Sequence, residues 1–150
     1  MFSPATLSIL NPNEPVQFAL AADKGVAPGD YKIGVVGTSG SVSENSSFTV
    51  RVVPYLIIVK DNVYYPASLT VRAGTTIYWL NLGIATGGDN AQEFDVTFKT
   101  VNVRSSVLIG SPFFDSFSYT FTTPGTYDYN CAQADDCNFP YMNGQIVVTG

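Results

Sequence analysis

The 150 residues contain no histidine. That absence removes Ser-His-Asp and Cys-His nucleophilic arrangements, and it removes the imidazole on which most copper and zinc sites depend. Charge is scarce as well: Lys, Arg, Asp and Glu make up 13% of the chain, against about 25% in an ordinary globular domain. The net charge is −5 and no Lys/Arg cluster occurs, so the electrostatic footprint of a nucleic-acid binder is missing. Apolar runs are short, as in "YLIIV" from Tyr55 to Val59, far below the ~20 residues of a membrane-spanning helix. No window repeats apolar residues at i, i+3, i+4 and i+7 over three turns, which excludes a long amphipathic helix. The opening "MFSPATLS" has neither a basic segment nor an apolar core, so no signal peptide is expected in it. Cysteine occurs twice, at Cys131 and Cys137.

What is present is aromatic and alternating. The chain is 45% hydrophobic and 13% aromatic, enough for a packed core. Period-two alternation marks Val16–Leu20, Tyr31–Val35, Ser47–Val52, Ser68–Arg72, Thr76–Leu80, Phe94–Phe98, Tyr119–Phe121 and Gln145–Val148. "APGD", "TSGS", "RAGT", "TGGDN" and "TPGT" punctuate these segments as turns. Short strands with such punctuation predict an all-β sandwich. A boundary falls near Val53-Pro54, dividing residues 1–53 from residues 54–150. "APGDY" and "TPGTY" recur once on each side, each opening a strand. "NSS" at Asn45 is an N-glycosylation sequon, meaningful outside the cytoplasm. Abundant Ser, Thr, Asn and Tyr with little Lys and Glu point the same way, to an extracellular or cell-surface chain whose signal and front lie outside this sequence.

In residues 54–150, "IIVKDNVYYPASLTVRAGTTIYWLN" and "YTFTTPGTYDYNCAQADDCNFPYMNGQIVV" resemble the opening and closing strands of a cupredoxin, the family of plastocyanin and related blue copper proteins. The resemblance implies a Greek-key β-sandwich and a copper site of two imidazoles, one thiolate and an axial thioether. Its thiolate position falls on Cys131 and its axial position on Met142. Its first histidine position, ahead of the "DVTF" strand, falls on Phe94. The second would lie within "AQADDCNFPY", which offers no imidazole. Phe94, Cys131 and Met142 are therefore read as vestigial ligand positions, with no metal and no cofactor expected.

Cys137 admits three readings. It forms a disulfide with Cys131, replacing copper as the clamp on the loop and leaving Met142 an ordinary core side chain. Or both thiols are free and make a soft Cu(I) or redox site of Cys131, Cys137 and Met142. Or the two are unpaired buried cysteines. The disulfide is the reading carried forward. "Tyr129-Asn130-Cys131" also resembles strand F of an immunoglobulin domain, but no cysteine precedes Cys131, so the inter-sheet bridge of that fold is excluded.

Residues 1–53 resemble the C-terminal half of a bacterial or archaeal Ig-like surface domain, with four strands that cannot cover both faces of a sandwich. Strand addition from the second module or from another subunit would complete them. The acidic stretches "GGDNAQEFD" and "ADD" are read as solvated loops rather than Ca²⁺ sites, and Asp135 and Asp136 as no catalytic pair. The functional expectation is an extracellular structural module, a filament, sheath or S-layer subunit with a copper-free cupredoxin fold and no catalytic residues. It self-associates, with no nucleic acid and no membrane span. A soft-metal or redox protein is one alternative. A carbohydrate- or ligand-binding module using exposed aromatics around Tyr64, Tyr65 and Tyr141 is another.

Overall fold

The computed structural model describes residues 25–84, 92–132, 134, 137 and 142–150. It divides the chain into two compact units, Met1–Pro54 and Tyr55–Gly150. The described part of the first unit is one long hairpin of β1 (Gly29–Ser39) and β2 (Val42–Val52), paired antiparallel from Gly29↔Val52 to Ser39↔Val42. The two-residue turn puts Gly40 at φ 58°, a left-handed conformation that glycine adopts without a Cβ clash. Asp30 and Arg51 lie opposite each other and form a bidentate pair at 2.7 and 3.0 Å. The guanidinium beside it holds the Asp30 carboxyl below its usual range. Tyr31 and Ile33 on β1, with Phe48, Val50 and Val52 on β2, are half-buried while the strand residues between them are exposed, as the alternation requires. Of the expected strands of residues 1–53, Val16–Leu20 lies outside the described residues.

The second unit is the sandwich. One sheet runs β10-β6-β3-β4, from β3 (Leu56–Lys60), β4 (Val63–Tyr65), β6 (Thr75–Asn81) and β10 (Ser116–Phe121). The other runs β5-β12-β11-β8, from β5 (Ser68–Arg72), β8 (Thr97–Phe98), β11 (Gly125–Asn130) and β12 (Asn143–Thr149). A short pair, β7 (Glu93–Phe94) with β9 (Leu108–Ile109), stands beside them. β3 pairs parallel with β6, and β5 parallel with β12, so the chain crosses between sheets instead of running as a meander. The β3–β4 hairpin turns on Asp61 and Asn62, both at positive φ, as a two-residue hairpin turn demands. Among the described residues there is no helix long and apolar enough to cross a membrane.

Ile57, Val59, Ile77 and Trp79 from one sheet and Phe98, Tyr129, Ile146 and Val148 from the other are all buried in one core. Trp79 sits edge-to-face on Phe98 and Tyr129 with centroids 5.8 and 5.6 Å apart, a geometry favoured by the ring quadrupoles. At the end of β6 the buried Asn81 amide donates to the carbonyls of Gln92 and Leu108 and accepts from the Gly83 N–H, all within 2.8 Å. That residue ties three connections to one end of the sandwich, where β7 and β9 meet.

The two Pro-Gly turns share a device. Tyr31 Oη donates to the Ala27 carbonyl, and Tyr127 Oη to the Thr123 carbonyl, each at 2.8 Å. In both, the tyrosine two residues past the glycine reaches back to the residue before the proline and fixes how the chain enters its strand.

Candidate functional site

The expected strand Phe94–Phe98 is not continuous. β7 ends at Phe94 and β8 begins at Thr97, because the segment passes from the β9 partner to the β11 partner. Alternation fails at that crossing: Phe94, Asp95 and Val96 are buried in succession. Ser105 secures the crossing. Its Oγ accepts from Val96 N–H at 2.9 Å and its N–H donates to the Val96 carbonyl.

Asp95 is 1% exposed, which corrects the reading of its acidic stretch as a solvated loop. The rest of that stretch through Ala91, and Asp135 and Asp136, lie outside the described residues. A buried carboxylate costs several kcal/mol unless its oxygens are hydrogen-bonded, and here they are. Oδ1 accepts from the backbone N–H groups of Ala132 at 2.9 Å and Ala134 at 3.2 Å. Oδ2 accepts from Thr97 Oγ1 at 2.6 Å. One side chain thus anchors the loop that leaves β11. Sequence reasoning passed over Asp95; the available signal was a lone acid flanked on both sides by apolar residues that all become core.

Cys131 follows β11 directly and is 7% exposed, and Cys137 is half-buried. Their sulfurs come within disulfide-bonding distance, with Cα atoms 5.2 Å apart, inside the roughly 4.4–6.8 Å a bridge spans. Asp95 N–H donates to Cys131 Sγ at 3.2 Å. Asp95 Oδ1 lies 3.4 Å from Cys131 Sγ and 3.2 Å from Cys137 Sγ. In a bridged pair these are oxygen–sulfur contacts; after reduction, the same distances let both thiols donate to the carboxylate. The three groups are close enough to share one ion. Denatured, unreduced protein is expected to show no free thiol by colorimetric titration. Two free thiols would remove the bridge and with it the covalent clamp, which loop entropy values at about 2 kcal/mol.

The other two residues that the resemblance reads as vestigial ligand positions are buried in the core. Phe94 is fully buried and pairs with Leu108 across β7 and β9. Met142 is 1% exposed, and its carbonyl accepts from the Cys131 N–H at 3.3 Å. Tyr64 corrects another expectation. It is 3% exposed, not a surface aromatic, and its hydroxyl donates to the Asp95 carbonyl. Burial, then the Asp95 charge and Tyr129, push its hydroxyl far above the usual tyrosine range, and burial does the same for Tyr129. Both stay neutral through the physiological range. Tyr65 is 73% exposed, Tyr141 lies outside the described residues, and Asn45 is exposed on β2 opposite Val36.

A type 1 copper ion does not fit these residues. The donors brought together are two sulfurs and a carboxylate, and no residue of the chain carries an imidazole, whereas that ion takes two imidazoles and one thiolate.

No family model matches the chain. Amicyanin from Paracoccus denitrificans is 28% identical over 121 residues, covering 77% of this chain and 82% of that one. Amicyanin from Paracoccus versutus is 29% identical over 87 residues, 57% of each chain. Among solved structures, the reduced Cu(I) form of an amicyanin variant aligns with 63% of this chain and 81% of that one, at 26% identity and a TM-score of 0.49. The two Paracoccus amicyanins, which are cupredoxins, support a cupredoxin-like fold here.

Proposed function

We propose that this chain is a structural module of an extracellular surface assembly, a cupredoxin-like sandwich that holds its ligand loop without copper and catalyses no reaction. The observation that carries the reading is the clamp on that loop. Asp95 accepts two of the loop's N–H groups, and the sulfur a copper ion would take lies at bonding distance from Cys137. The amicyanin relatives favour copper redox chemistry, but a chain without histidine cannot supply the nitrogen donors that tune such a site. The assembly part rests on the first unit. Among the described residues β1 and β2, each of 11 residues, pair only with one another. Val35, Val36 and Val42 near its turn are exposed. A long hairpin with exposed valines beside its turn is suited to pairing with further strands, which supports self-association. The bridge and the exposed Asn45 sequon suit an oxidising, extracellular setting.

Titration of the full chain with Cu(II) is expected to give no intense blue thiolate-to-copper absorption, in oxidised or reduced protein. A strong band at one copper per chain would sink the copper-free reading. Sedimentation over a wide concentration range tests the assembly, which a monomer throughout would refute.

A further inference from the structure

The geometry points to a second, redox-gated state of the same loop: we propose that reduction of Cys131 and Cys137 opens a Zn²⁺ site made by their two Sγ atoms and Asp95 Oδ1. This site shares no nitrogen ligand with a blue copper centre. It takes Asp95, which the family resemblance does not supply, as its third donor. It does not depend on the surface-assembly reading.

The distances carry it. With Zn–S near 2.3 Å and Zn–O near 2.0 Å, a tetrahedral ion sets its S···O edges at about 3.5 Å and its S···S edge at about 3.8 Å. The two S···O separations are already 3.4 and 3.2 Å. Only the S···S edge must lengthen, and breaking the bridge is what permits that. The carboxylate is oriented in advance: Thr97 holds Oδ2, the outer-shell bonding that orients a ligating carboxylate. The ion takes the Oδ1 lone pair that the longer 3.2 Å Ala134 N–H bond uses, while Ala132 N–H keeps the other. All three donors are buried or half-buried, so the ion would exchange water for protein ligands.

The donor set decides the metal. Two thiolates alone would suit Cu(I), but a hard carboxylate oxygen as third donor favours the borderline ion Zn²⁺. Three protein donors leave the fourth tetrahedral position to water. The chemistry balances. A dithiol gives two electrons and two hydrogens to the cystine, becomes a disulfide itself, and leaves two cysteine thiols. Zn²⁺ then binds as the two thiol protons leave.

The test uses the full chain and Co²⁺ as a visible stand-in for Zn²⁺, displaced afterwards by Zn²⁺. The reductant is a phosphine, which takes oxygen from water and departs as the phosphine oxide. Reduced protein is expected to bind one Co²⁺ per chain with thiolate-to-cobalt absorption, and oxidised protein to bind none. Cys137→Ser should abolish the signal. Asp95→Asn keeps an oxygen for Ala132 and Ala134 and so keeps the loop, but should bind at least ~10-fold more weakly. No stoichiometric uptake by the reduced chain would overturn the proposal. So would unchanged affinity in Asp95→Asn with unchanged circular dichroism, which would leave the carboxylate outside the coordination sphere. A blue Cu(II) band bears only on the copper-free reading, so the two failures are separable.

Discussion

Replacing Tyr129 by alanine is expected to destabilise the Tyr55–Gly150 unit by about 4 kcal/mol, a large share of the ~5–15 kcal/mol that holds a domain together. Its ring is fully buried and lies 5.0 Å from Tyr64, 5.6 Å from Trp79 and 5.6 Å from Phe98, centroid to centroid. Removing it takes the hub from the aromatic core and opens a cavity that two facing sheets cannot close. The same ring lies across Gly144, its cross-strand partner. A Cβ at Gly144 would fall within the Tyr129 ring, and the β11–β12 register leaves the backbone no room to move. Gly144→Ala should therefore cost about 3 kcal/mol, at the upper end of overpacking effects. Pairing it with Tyr129→Leu should cost less than the sum of the two, since they share one space. Urea denaturation reads this directly: with slopes of ~1–3 kcal/mol per molar, the Tyr129→Ala midpoint falls by more than 1 M. Losses under about 1 kcal/mol for both single changes would mean the ring is not seated over the glycine.

Asp95→Ala is expected to cost about 3 kcal/mol, from two backbone N–H groups and one hydroxyl that lose their acceptor at once. Asp95→Asn should cost about 1 kcal/mol, because an amide oxygen still accepts from Ala132 and Ala134 and its NH₂ can donate to Thr97. The contrast separates the acceptor role from the charge. A local readout accompanies it: phosphine reduction of the Cys131–Cys137 bridge should speed up about tenfold for each 1.4 kcal/mol of loop-opening energy lost in Asp95→Ala. Equal stability and equal reduction rates in wild type and Asp95→Ala would show that the carboxylate does not hold the loop.

The sequence by itself determined the fold class and much of the strand inventory. Ser68–Arg72 alternates and is β5 over those same residues, and Tyr31–Val35 and Gln145–Val148 lie inside β1 and β12. These strands are legible because alternation and turn residues are local facts, set by the pleat and by φ. The histidine count alone shows that no imidazole is available to a metal, and the six-residue cysteine spacing makes a bridge conceivable. What only the tertiary structure decided is everything that depends on which face is covered and by what. Alternation cannot say that Tyr64 turns inward and Tyr65 outward, because β4 has three residues and its pattern reads either way. It mispredicts Phe94–Phe98, where the chain changes strand partners and buries three residues in a row. It cannot reveal parallel pairing of β3 with β6 or β5 with β12, which joins residues far apart in the chain. Asp95 is the decisive case. Its burial becomes affordable only when Ala132, Ala134 and Thr97 arrive as donors, and two of those come from a loop almost forty residues away, so no local pattern could mark it as the residue that faces both sulfurs.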